Sequence, residues 1–216
     1  MTSTLKAFRK NYGAYLLPIS ANNYSIGDLW DRVGISGRLK PENTNIAYVC
    51  DNPVLAEKLR VIENVDANLP DLDITSDFNQ EANINIPSLN VSIEESLQIS
   101  KVERMIFKSV TTKNTHGGLL EEMYDHVTKL RKDDIQKYRN RVKHSLVTIA
   151  YYYAEKVQIE VEKEVMNKDE YNLKIAQTFG LDVGVSFGSY NKVFIEINNS
   201  KCPFAAQFIH GRNLKH

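Results

Sequence analysis

From Val147 to Val165 the odd positions read Val, Ile, Tyr, Tyr, Glu, Val, Ile, Val, Lys, Val, and the even positions between them contain no large aliphatic residue. Successive side chains of a strand point to opposite faces, so this period of two predicts β-structure with its apolar residues on one side. Nineteen residues in one phase exceed the usual strand of about 3 to 10, so the run is either one very long strand or two that keep the same alternation. A second run has the same character. Leu89, Val91, Ile93, Leu97 and Ile99 alternate with Asn90, Ser92, Glu94, Ser96 and Gln98, with Glu95 the one polar residue in the apolar set. Glu155 interrupts the longer run in the same way. Leu181, Val183, Val185 and Phe187, then Val193, Ile195 and Ile197, form two shorter alternating runs, and Gly188 to Asn191 between them reads as a hairpin turn.

Between the two long runs the period changes. After Gly117-Gly118, the residues Leu120, Met123, Val127, Leu130, Ile135, Tyr138 and Val142 recur every three or four positions. This predicts one amphipathic helix over Leu119 to Lys143, with acidic side chains toward its start and basic ones toward its end, as the helix dipole favours. Elsewhere, Thr2 to Asn11 predicts a short basic helix, Tyr12 to Ile19 a buried strand closed by Pro18, and Ile46 to Cys50 a short strand. Pro53 to Arg60 reads as a helix with proline near its start. Asp66 to Gln80 is a polar connection, Asn83 to Pro87 a weak strand, and Cys202 to His210 a last strand followed by a short basic tail. The fold class that results is α+β: a twisted, largely antiparallel sheet of long amphipathic strands, a basic N-terminal helix and one long charged helix, in a single domain over 1–216.

Composition narrows the functions available. The chain has 216 residues, 42% of them apolar, which is enough to bury one core. Its 27 basic and 27 acidic side chains cancel, so the broad positive field of a nucleic-acid-binding protein is absent and an anionic partner must meet a local basic patch. Cys50 and Cys202 are too few for a disulfide framework and fit a reducing compartment. No signal peptide and no spanning helix are expected. His116, His126, His144, His210 and His216 form no HExxH pair, and neither GxGxxG nor GxxxxGK[ST] occurs. Glu122 and His126 read as a solvated pair one helical turn apart, Cys50 as a buried thiol, and the Tyr151-Tyr152-Tyr153 run as core packing rather than base stacking. No catalytic residue, metal site or cofactor is expected, and the chain does not read as an enzyme.

The order of these elements resembles the pore-forming domain of the gasdermin family, in particular its compact bacterial and fungal members. Three features carry the resemblance: YGAYLLPI (Tyr12 to Ile19) after a basic start, the two alternating strand regions on either side of a charged helix, and KVFIEINNSKCPFAAQF (Lys192 to Phe208) near the end. Bacterial members commonly carry a lipidated cysteine near the N-terminus, and residues 2–10 contain none. The resemblance implies a cytoplasmic protein that moves to the inner face of the cell membrane, binds acidic lipids, and assembles as a homo-oligomer. It then inserts a β-barrel pore that causes cell death, in settings that include antiviral defence. Its partners would be those lipids and an activating protease or inhibitory partner, with no nucleic acid. Lipid contact falls to Lys6, Arg9 and Lys10, whose charges near an anionic surface are worth about 1 kcal/mol each. The inserting faces would be Leu89, Val91, Ile93, Leu97, Ile99, Val147, Ile149, Tyr151, Tyr153, Val157, Ile159 and Val161. The alternative is a soluble α+β interaction or regulatory domain without lytic activity, in which the same strands form a stable sheet covered by the helix.

Overall fold

The computed structural model describes residues 13–17, 24–33, 38–63, 65–67, 72–75, 102–162, 183–187, 192–198 and 203–214. In chain order the elements are β1 (Tyr15–Leu16), β2 (Asp28–Val33), β3 (Arg38–Asn45), α1 (Ile46–Val49), α2 (Pro53–Arg60), β4 (Val65–Asp66), β5 (Leu72–Thr75) and β6 (Val102–Asn114). There follow α3 (Gly117–Asp133), α4 (Ile135–Arg141), β7 (Leu146–Glu162), β8 (Val183–Phe187), β9 (Lys192–Asn198) and β10 (Pro203–His210). The fold is mixed α and β with largely antiparallel pairing, as the alternation predicts. The N-terminal basic helix, the Leu89 to Ile99 strand, the Asn83 to Pro87 strand and the Gly188 to Asn191 turn lie outside the described residues. Two compact units divide the chain. The first comprises Met1–Asn23, Asp66–Thr111 and Tyr152–Ala205, the second Tyr24–Val65, Thr112–Tyr151 and Ala206–His216.

In the second unit β2 lies between β3 and the start of β7, with Leu29 opposite Val147 and Trp30 opposite Leu146. Its core is aromatic. Trp30 and Tyr151 are fully buried; the Tyr24 ring stacks on Tyr151 at 5.8 Å, and Phe208 meets Trp30 edge-on at 5.7 Å. Trp30 Nε1–H donates to Tyr151 Oη (3.2 Å), and Thr148 Oγ1 lies 3.2 Å from the same oxygen while donating to the Asp28 carbonyl (3.1 Å). Every polar group of this cluster thereby gains a partner, which a buried site demands.

Four expectations are corrected in this unit. Ile46–Val49 is a helical turn, not a strand, because Asn45 caps it: its Oδ1 accepts from Ala47 N–H (3.0 Å) while its Nδ2 donates to the Ile26 carbonyl (2.8 Å). The long helix is two helices. Asp134 leaves helical geometry (φ −140°, ψ 79°) and its carboxylate accepts from Lys137 N–H at 2.8 Å, ending α3 and starting α4 in one residue. Leu119, rather than Leu120, joins Met123, Val127 and Leu130 on the buried side, and Ile135 is exposed. Nor is the stretch after His210 a free tail: Leu214 is fully buried, Gly211 N–H donates to the Ser145 carbonyl (2.9 Å), and a Cβ on Gly211 would stand 1.8 Å from the Val142 oxygen.

In the first unit β5 and β6 pair from Leu72 with Phe107 to Thr75 with Arg104, closed by an Arg104–Asp73 ion pair. Leu17 N–H donates to the Phe204 carbonyl (2.9 Å), and the Phe204 ring stacks on Phe107 at 4.2 Å, both side chains being buried. The alternation from Val147 resolves as one strand of 17 residues, β7, about 56 Å of extended chain.

Candidate functional site

In the first unit β9 lies between β7 and β8 and pairs antiparallel with both. Strands β7 and β8 therefore run parallel to each other. The register places Val157 opposite Ile197, Ile159 opposite Ile195 and Val161 opposite Val193; across β9 those residues face Val183, Val185 and Phe187 in the same order. Three rows of three positions, all aliphatic or aromatic, share one face of the ladder. Positions that share a row share a face because the side-chain period is two, and a slip of one residue would turn each strand over.

Charged and polar residues dominate the opposite face. Gln158 pairs with Glu196, Glu160 with Phe194 and Glu162 with Lys192. Glu196 accepts from Lys156 (2.7 Å) and from Gln158 (2.9 Å), and those two contacts hold its carboxyl below the usual range despite slight desolvation. Phe194 is the apolar exception and is exposed. Val157 is buried, so at that row the apolar face is dry.

Nearer the start of β7 the arrangement differs from a half-wet strand. Val147, Tyr151 and Tyr153 are buried and Ile149 half-buried on the odd side, yet Leu146, Thr148, Ala150 and Ala154 on the even side are buried too. Small side chains at 148, 150 and 154 let a second layer approach. Glu155 is exposed and marks the change, after which one face is apolar and the other polar. For Ile159 and Val161 the structure gives the strand register alone. Lys6, Arg9, Lys10, Leu89, Val91, Ile93, Leu97 and Ile99 lie outside the described residues. The positions of β8 and β9 that complete the rows were legible as alternating runs; their alignment with β7 was not, because register between distant strands leaves no local trace.

Reactive chemistry has little footing in the described residues. No group of three or more His, Cys, Asp or Glu is placed to hold a metal ion among them. Burial pushes the Cys50 thiol up to about 11, against a smaller lowering by Lys137, so it is a poor nucleophile near neutrality. His126 accepts from Asn52 Nδ2 (2.7 Å), and Glu122, 3.9 Å from His126, is bound by Lys58 (2.8 Å), so the pair helps tie α2 to α3. A groove of about 510 Å³ opens beside the start of α3, between Lys58, Val61, Ile62, His116 and Leu119. Among the described residues no helix is long and apolar enough to cross a membrane, a statement that leaves crossing by strands open.

No family model matches the sequence, and no curated protein is similar to it. Among solved structures, a bacterial gasdermin from Bradyrhizobium tropiciagri aligns over 94% of this chain and 83% of its own, at 12% identity and a TM-score of 0.43.

Proposed function

We propose that residues 1–216 form one pore-forming domain that acts from the cytoplasm on the inner face of the cell membrane. Lys6, Arg9 and Lys10 contact acidic lipid, copies associate, and the alternating strands around 89–99 and along β7 insert as parts of a closed β-barrel whose leakage kills the cell, as in antiviral defence. Release by a protease or by loss of an inhibitory partner starts the process.

The observation that supports this most is the alignment of apolar positions in rows across β7, β9 and β8, with a charged face behind them. A barrel wall in a membrane needs such a sheet: lipid on one side, water on the other, every backbone group paired. About 9 to 11 residues per tilted strand cross a bilayer, and β7 has 17. The second reading, a soluble interaction or regulatory domain, is favoured by one specific observation, the burial of both faces of β7 over 146–154.

Dye release separates the two. Purified full-length protein should empty vesicles rich in anionic phospholipid and spare vesicles of phosphatidylcholine alone. Retention of dye in both, for protein shown to be folded and exposed to the activating protease, would leave the soluble reading standing.

A further inference from the structure

Strand β6 is not regular. Ser109, in its middle, has φ +52°, a left-handed conformation that costs any residue bearing a Cβ and that serine seldom adopts. Asn43 and Asp51 also have positive φ (54° and 52°), but asparagine and aspartate enter that region more readily than serine, and Asn43 lies where β3 shifts register against β2 while Asp51 lies in a turn. The burial pattern shows what Ser109 does. Before it the buried residue is odd-numbered, Phe107; after it the buried residues are even-numbered, Val110 and Thr112, with Ser109 itself exposed. One extra residue has been inserted into the alternation, which defines a β-bulge.

We propose that the Ser109 bulge is a strained register lock, which holds β6 in its folded form and must resolve when the strand extends. The inference rests on the pore-forming reading and adds to its inserting strands β6, which follows the alternating run 89–99 in the chain. A bulge is useful to the packed form because it lets both Phe107 and Val110 reach the core. It is an obstacle to a membrane strand, in which the alternation must continue unbroken along the barrel wall. Removing it turns Val110 and Thr112 over relative to Phe107 and releases the strain at Ser109, so the strain lowers the barrier to leaving the core.

Two substitutions with opposite backbone preference test this in the full chain, by thermal melting and by the rate of dye release from anionic vesicles. Ser109→Gly accepts positive φ without cost, so it should raise Tm and slow release about five-fold, the lower end of what relieving one such residue is worth. Ser109→Val, β-branched and averse to positive φ, should lower Tm and hasten release by a similar factor. If Ser109→Val does not fold, the glycine variant decides alone. Gly118→Ala, whose new Cβ would meet only His116 Nδ1 at 3.9 Å, raises stability away from β6 and serves as control. Release that slows as much per degree of Tm in the control as in Ser109→Gly would reduce the effect to global stability and overturn the proposal. So would release at the wild-type rate from both Ser109 variants. Folded wild-type protein that releases nothing even after exposure to the activating protease would overturn the pore-forming reading itself, a separate result.

Discussion

Replacing Gly27 by alanine should cost the second unit roughly 2 to 5 kcal/mol, a sum of two separable effects. The first is conformational: Gly27 has φ +86°, and a Cβ there costs about 1–2 kcal/mol. The second is steric. The new Cβ would stand 2.8 Å from Leu59 Cδ1, 2.9 Å from Asn45 Oδ1 and 3.0 Å from Ile46 Cγ2. Leu59 and Ile46 are buried, and Asn45 is pinned by its bonds to Ala47 N, Ile26 O and Asp28. The Gly27 backbone cannot retreat either, since its N–H donates to the Thr148 carbonyl and its carbonyl accepts from Ile46 N–H, both at 2.8 Å. Forcing one methyl into such a site costs about 1–3 kcal/mol. For a chain of this length each kcal/mol lowers Tm by about 2–4 °C, so calorimetry should record a fall of about 4–20 °C. Urea titration should show a lower midpoint at unchanged slope. Gly27→Asn, which tolerates positive φ but keeps the Cβ, should recover part of the first loss and none of the second. A Gly27→Ala loss below about 0.5 kcal/mol, the scale of an inconsequential surface change, would refute the packing described around Gly27.

Tyr151→Phe should destabilise by about 1–3 kcal/mol, because the buried Trp30 N–H loses its acceptor; urea denaturation followed by Trp30 fluorescence measures it, and a neutral result would contradict the polar cluster. Phe204→Ala should cost about 3–5 kcal/mol by the same assay, since the ring is buried against Phe107 at 4.2 Å. Glu42→Gln tests pH dependence. Desolvation, then repulsion by Asp31, raises the Glu42 carboxyl above its usual 4.5 against hydrogen bonding from Ser145 and attraction by Arg141, and its Oε1 is buried without a hydrogen-bond partner. A group whose pKa is higher folded than unfolded favours folding in its protonated form, so its contribution is intact below about pH 4.5 and declines as pH rises through the folded value. Glu42→Gln should therefore melt higher than wild type at pH 7 and level with it at pH 3; a gain confined to acid would reverse the sign and refute the assignment.

The parts of the fold that were legible in the sequence are those where one period holds. Strand β7 kept its phase for 17 residues, and the α3 stripe from Met123 to Leu130 kept its own. Strand β6 stayed unread although it has 13 residues, because the bulge at Ser109 breaks the alternation at the position that makes both halves buried. Strands β2 and β3 were missed for different reasons: in β2, Leu29 and Trp30 are both fully buried and Asp31 and Arg32 both exposed, which leaves no period of two, while β3 carries Pro41, Glu42 and the positive-φ Asn43. Capping explains the helices that were misread. Asn45, held by the distant Ile26 carbonyl and Asp28, decides where α1 begins, and Asp134 ends α3 through its bond to Lys137 N–H inside an otherwise unbroken helical period. At the candidate site, the sequence supplied every apolar position of the ladder but not the row each belongs to.

The pore-forming proposal puts the apolar positions of β7, β9 and β8 against lipid. In a background with Cys50→Ala and Cys202→Ala, single cysteines placed in turn at positions 193 to 197 of β9 and labelled with an environment-sensitive dye test it directly on anionic vesicles. The dye should become lipid-exposed at 193, 195 and 197 and stay in water at 194 and 196. No change at any of the five positions, or a change without that period of two, would contradict it.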